Sequence, residues 1–178
     1  MAQGNRRCAA GVAGQSDSSA HVGLDLNLIT FAASTFSGSS FIATTFQDAV
    51  WTGCQFSGCA SRECDMQRIT ISGCTFVNCT FASTQLSASK LSSCSFRQCN
   101  LTDLNLDASH WSQVGLLDCT GERLDATDLQ GQEVDFTGSQ FKDMHLRRTS
   151  TAPAGYEYRA RGPATNWVAC TSRASARR

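Results

Sequence analysis

The sequence predicts an all-β chain wound into a solenoid, and three observations carry that prediction. Apolar residues recur at every fifth position over most of the chain, small residues recur two places before them, and turn-forming residues recur two places after. A helix needs apolar spacings of three and four, and a simple strand needs two, so a sustained five fits neither. A coil that turns a corner at each five-residue step keeps every fifth side chain pointing inward.

Counted from Leu26, the inward column reads Leu26, Phe31, Phe36, Phe41, Phe46, Trp51, Phe56 and so on to Leu146, and all ten phenylalanines of the chain stand in it. With one position in five available, chance gives that arrangement in about one of ten million sequences. The small column includes Ser34, Ser39, Thr44, Ala49 and eight of the ten cysteines. Gly38, Asp48, Gly53, Gly58, Gly73, Asn78 and Asp103 mark the corners, where such residues suit tight turns. Each unit is one short edge and one corner.

Segments such as CTFVN, CNLTD, TDLQG and VDFTG resemble the pentapeptide-repeat family, whose unit is a small residue, Asp or Asn, Leu or Phe, and two variable residues. The resemblance runs from about Leu26 to Arg148. It implies a square right-handed parallel β-helix with four units per turn and about six coils, in which residues twenty apart stack at about 4.8 Å. Phe36, Phe56, Phe76, Phe96, Leu116 and Phe136 then form one core stack. Cys59, Cys79, Cys99 and Cys119 form a second, and Cys54, Cys74 and Cys94 a third.

The period falters twice. Ser61 puts a polar residue in the inward column, so that edge is expected to bulge or dip outward. Between Gly121 and Gly131 the inward column reads Gly, Ala, Gly, while Leu124, Leu129 and Val134 occupy the small column. Either large and small residues exchange roles there, or the register slips by three and recovers before Phe136. The slip is favoured because ATDLQ makes a better family unit with Leu129 inward.

Three regions follow: an N-terminal flank at 1–24, the solenoid at 25–149, and a basic C-terminal flank at 150–178. An open solenoid exposes unpaired strand edges at its ends, so the flanks are expected to cap it or to carry homodimerisation. Tyr156, Tyr158, Trp167 and Val168 are the candidate caps. No apolar run matches a signal peptide or a membrane span, and the chain is expected to be a cytoplasmic protein with free thiols.

The chemistry of metals and catalysis finds little support. Tetrahedral zinc needs four converging ligands, whereas these cysteines lie five and twenty apart in straight rows. No metal or cofactor is expected, and the thiols are read as small core residues. Disulfides between rungs would require parallel side chains to tilt together. His21, His110 and His145 are scattered; His145 stacks over Asp125, but no nucleophile accompanies the pair. The chain is expected not to be an enzyme.

Formal charge is zero, but it is segregated. From Leu101 to His145 nine acids face two bases, a net of −7, and from Arg147 onward seven arginines face Glu157, a net of +6. The expected function is a rigid scaffold for a protein partner, with Asp103, Asp118, Asp128, Asp135, Tyr156, Tyr158 and Trp167 as candidate contacts. The family resemblance also implies relatives that are secreted effectors or accessory proteins of bacterial secretion systems. It implies an alternative partner too, since topoisomerase-protecting members imitate DNA and occupy the DNA site of gyrase. A third reading is nucleic-acid binding through the Arg-rich tail, whose seven arginines lack interleaved base-stacking aromatics.

Overall fold

The computed structural model describes residues 15–145, 150–151 and 167–168. The period of five is built by the backbone: every fifth residue from Ser18 to Asp143 has positive φ, between 47° and 73°. That left-handed conformation turns each corner and directs its amide along the rod. Ala43 N donates to Arg62 O at 2.9 Å and Asn78 N to Arg97 O at 3.0 Å. Two residues later the amide points the other way, as Thr80 N does to Cys59 O at 2.9 Å. Each corner is thus tied to the rung on either side.

The product is a right-handed parallel β-solenoid of about 6 turns. A twelve-stranded sheet covers two adjacent sides. One side is formed by Gln15–Asp17, Thr35–Ser37, Gln55–Ser57, Thr75–Val77 and Ser95–Arg97, and the other by Thr30–Ala32, Val50–Thr52, Thr70–Ser72 and Lys90–Ser92. His110–Leu117 runs across the corner and joins them. An eight-stranded sheet forms the third side, from Ala20–Val22 to Gln140–His145, and ends on Trp167–Val168. The fourth side is a column of turns joined by bridges such as Asp25↔Thr45 and Asp65↔Gln85.

Inside, the two inward columns fill the rod. Phe36, Phe56, Phe76 and Phe96 stack face to face with ring centroids 4.8, 4.8 and 4.6 Å apart. Rings on adjacent sides meet edge to face, as Phe76 and Phe81 do at 5.6 Å. Such pairs add about 0.5–1.5 kcal/mol each beyond the area they bury. Phe36, Phe56, Phe76, Phe96, Phe136, Cys59, Cys79, Cys99 and Cys119 are all buried.

Three features differ from the sequence reading. Ser61 does not bulge: it is 6% exposed and pairs in register with Phe41 and Phe81. Backbone bonds such as Ala60 N to Ser39 O, 2.9 Å, hold the rung, so a small side chain loses buried area without losing register. The three-residue slip is also absent. Leu101 pairs with Gly121, Gly121 with Phe141, and Trp111 with Gly131, each twenty residues apart. Large and small residues exchange roles instead, with Leu124, Leu129 and Val134 filling the volume that Gly121, Ala126 and Gly131 leave. A Cβ on Gly121 would lie 2.2 Å from Leu101 O and 3.1 Å from Phe141 Cδ1. Finally, the coil begins inside the stretch expected as a flank, since Gln15 pairs with Thr35 and Ala20 with Ser40.

Urea unfolding checks this packing. Phe76→Ala is expected to cost about 3–5 kcal/mol, and the outward Thr75→Ala well under one. Gly121→Ala, which forces a methyl into backbone, is expected to cost about 1–3 kcal/mol; a neutral effect would restore the slipped register.

Candidate interaction surface

Five of the nine acids that are close in sequence, Asp103, Asp107, Asp125, Asp128 and Asp143, fall on the fourth side and its two corners, and the other four are distributed over the rest of the circumference. With twenty residues per turn, Asp103, Asp118 and Asp128 fall on three different corners of the rod, and Asp135 lies on the side that carries Thr75 and Ser95. Several are occupied locally. Arg123 Nε donates to Asp103 Oδ1 at 2.5 Å, and the same guanidinium pairs with Glu122. That guanidinium holds the Asp103 carboxyl below its usual range. Asp135 Oδ1 accepts from Thr137 N at 2.9 Å and closes a turn, as Asp125 Oδ1 does for Thr127 N at 3.1 Å. Glu133 accepts from Gln113 Nε2 at 3.0 Å. Asp118 is exposed, and Asp128 is half-buried.

A different surface emerges on the twelve-stranded sheet. Its three rungs at 30–37, 50–57 and 70–77 contain no charged residue across two sides and the corner between them. Outward from it stand Thr35, Ser37, Gln55, Ser57, Thr75 and Val77, and the corner is made of Ala33, Gly53 and Gly73. A Cβ on Gly53 would meet nothing within 4 Å, so the corner stands open. The neighbouring sides carry the charges instead, including Asp48 and Arg68, which form a 2.7 Å ion pair. The sequence reading missed this surface, although the missing charges at 30–37, 50–57 and 70–77 were readable once the twenty-residue turn was applied.

At the C-terminal end, Trp167 and Val168 pair with Met144 and His145 and so satisfy part of an otherwise open edge. Tyr156 and Tyr158 lie outside the described residues. His110 and His145 are exposed, with His145 paired in register to Asp125. His21 occupies an inward position and stacks on Phe41, ring centroids 4.9 Å apart.

The eight described cysteines are free and buried, and no cluster of three metal-ligating residues exists among the described residues. Each thiol caps backbone carbonyls, as Cys79 Sγ does with Phe56 O at 3.5 Å and Val77 O at 3.4 Å. Burial pushes the Cys64 and Cys94 thiols above their ordinary value. The neighbouring Cys79 thiol holds the Cys59 thiol down to about 7, and Cys59 in turn holds the Cys79 thiol up to about 11. Among the described residues, no helix is long and apolar enough to cross a membrane.

Residues 69–154 match a family model described as a pentapeptide repeat region. Among solved structures, the chain is similar to QnrB1, a plasmid-mediated fluoroquinolone resistance protein, at 17% identity and a TM-score of 0.45, covering 79% of this chain and 83% of that one. It is similar to HetL, a pentapeptide-repeat protein involved in heterocyst differentiation regulation from the cyanobacterium Nostoc sp. strain PCC 7120, at 12% identity and a TM-score of 0.23, covering 75% and 87%. Rfr23 from the cyanobacterium Cyanothece 51142 shares 12% identity at a TM-score of 0.26, covering 71% and 91%. No curated protein sequence matches the chain.

Thiol chemistry checks the burial. With eight of the ten cysteines buried, the native chain is expected to show at most two thiols that react rapidly with a disulfide reagent, and all ten after denaturation. A thiol whose folded pKa is raised contributes stability that is complete below its unfolded value, about 8.5, and is lost as pH rises through the folded value. Unfolding free energy is therefore expected to fall above about pH 8.5, and less steeply in Cys94→Ala. An equal slope in that variant would contradict the burial of Cys94.

Proposed function

Because the chain belongs to the pentapeptide-repeat family, we propose that it is a non-enzymatic rod that docks a protein partner on the uncharged side pair of its twelve-stranded sheet. The observation that supports this role is the contrast between two surfaces. Five of the nine acids of the second half share the fourth side and its corners with Arg123, and several of the nine are paired or close turns. The rungs at 30–37, 50–57 and 70–77 offer a polar surface, two sides and the corner between them, with no charge to desolvate. Docking there leaves few buried ions unpaired, which favours a stable contact. The pairing of the Trp167–Val168 backbone with Met144 and His145 supports Trp167 as a second contact at that end of the rod.

A topoisomerase partner that reads the acids as phosphates would behave differently. Its affinity would fall steeply with salt, and neutralising several carboxylates together would abolish it.

Capture of partners on immobilised protein separates the two. Asp103, Asp118, Asp128 and Asp135 changed together to Asn are expected to leave the captured set intact. Gln55→Arg with Ser57→Arg is expected to reduce capture at least tenfold, while unfolding free energy changes by less than about 0.5 kcal/mol, as for other surface changes. Inhibition of gyrase supercoiling by the wild type, abolished in the four-Asn variant, would overturn the scaffold and establish the DNA-mimicking role.

A further inference from the structure

The thiols of Cys59, Cys79, Cys99 and Cys119 form a row of equivalent sulfurs. Each Sγ meets the carbonyl two residues before it at 3.4–3.5 Å and the carbonyl twenty-three residues before it at 3.4–3.5 Å. Identical partners on identical backbone frames make successive sulfurs related by the rise of the coil. That rise is 4.6–4.8 Å, as the adjoining phenylalanine stack shows. The row is bounded by hydroxyls, Ser39 at one end and Ser139 at the other, each bonded to backbone at 3.1 and 2.7 Å.

Parallel side chains at this spacing cannot converge on a tetrahedral ion. Half the spacing, however, is about 2.3 Å, the length of a metal–thiolate bond. An ion midway between two sulfurs on the axis of the row therefore has two bonds of ordinary length in a straight line, with no side chain displaced. Soft thiolates select soft metals. Charge sharpens the choice: two thiolates and a divalent ion sum to zero, and an apolar core excludes a net charge.

We propose that this row binds soft divalent ions that prefer linear two-thiolate coordination, one between Cys59 and Cys79 and one between Cys99 and Cys119. Each ion forms two metal–sulfur bonds and displaces two thiol protons to solvent, with no change of oxidation state. Four sulfurs taken in pairs give two ions, and the gap between Cys79 and Cys99 stays empty because both sulfurs are already used. Entry requires neighbouring rungs to part briefly, so loading is slow.

Mercury(II) is the probe. The full chain is loaded, freed of weakly held ion with excess free cysteine, and separated by gel filtration. Wild type is expected to retain two more ions per chain than a variant with all four cysteines of the row changed to Ser, the residue that already stands at both ends. Cys79→Ser and Cys119→Ser are each expected to lose one ion, which keeps the test intact if the fourfold variant fails to fold. X-ray absorption of the loaded wild type should show two sulfur neighbours at about 2.3 Å and no third, with the far-ultraviolet circular dichroism unchanged. Equal retention in wild type and single variants, three or four sulfurs per ion, or loss of the fold on loading would overturn the assignment.

Discussion

A left-handed backbone conformation at every fifth residue is the constraint on which everything else in this molecule depends. Twenty of the described corners are not glycine, and each such residue pays about 1–2 kcal/mol for the conformation. The penalty is offset at the same residue, because the corner turns its amide toward the next rung, as Ala108 N does to Thr127 O at 2.9 Å. A corner is favourable only when a neighbouring rung is present to accept that bond. Stability is accordingly a property of adjacent rungs, as expected of a quasi-one-dimensional array.

The same constraint decides what a cluster means on this surface. Consecutive units face four directions, so residues close in sequence are dispersed around the rod, while residues twenty apart are neighbours. Of nine acids within forty-odd residues, five therefore gather on one side and its corners while four are dispersed, and three separated uncharged segments make one continuous neutral surface. Inside, the rule turns unremarkable cysteines into a straight row. Composition along the chain and chemistry on the surface are related only through the twenty-residue turn.

The period, the inward phenylalanines and the buried thiols were legible in the sequence because each is repeated many times and each error averages out. The region 121–134 was misread because one column was scored alone. What the rung conserves is the volume contributed by both inward columns, so Gly121 beside Leu124 and Gly131 beside Val134 satisfy it without a slip. The start of the coil was placed late because Ser16 and His21 stand where apolar residues were sought. His21 nonetheless stacks on Phe41 as an aromatic ring would. Corners at Ala33, Ala43, Ala88 and Gln98 gave no turn signal, since their conformation is imposed by the stack rather than by local preference.

The central claim is a register of twenty residues that continues unbroken through the altered rungs, and a distance along one column tests it most directly. Nitroxides introduced as unnatural amino acids at Thr52 and Gln132, both exposed and four rungs apart in the same column, give a pulsed electron–electron resonance distance. The unbroken register predicts a single narrow distribution near 19 Å, four rises of about 4.8 Å. A slip of three residues would turn position 132 toward the core, and a broad or displaced distribution would contradict the account.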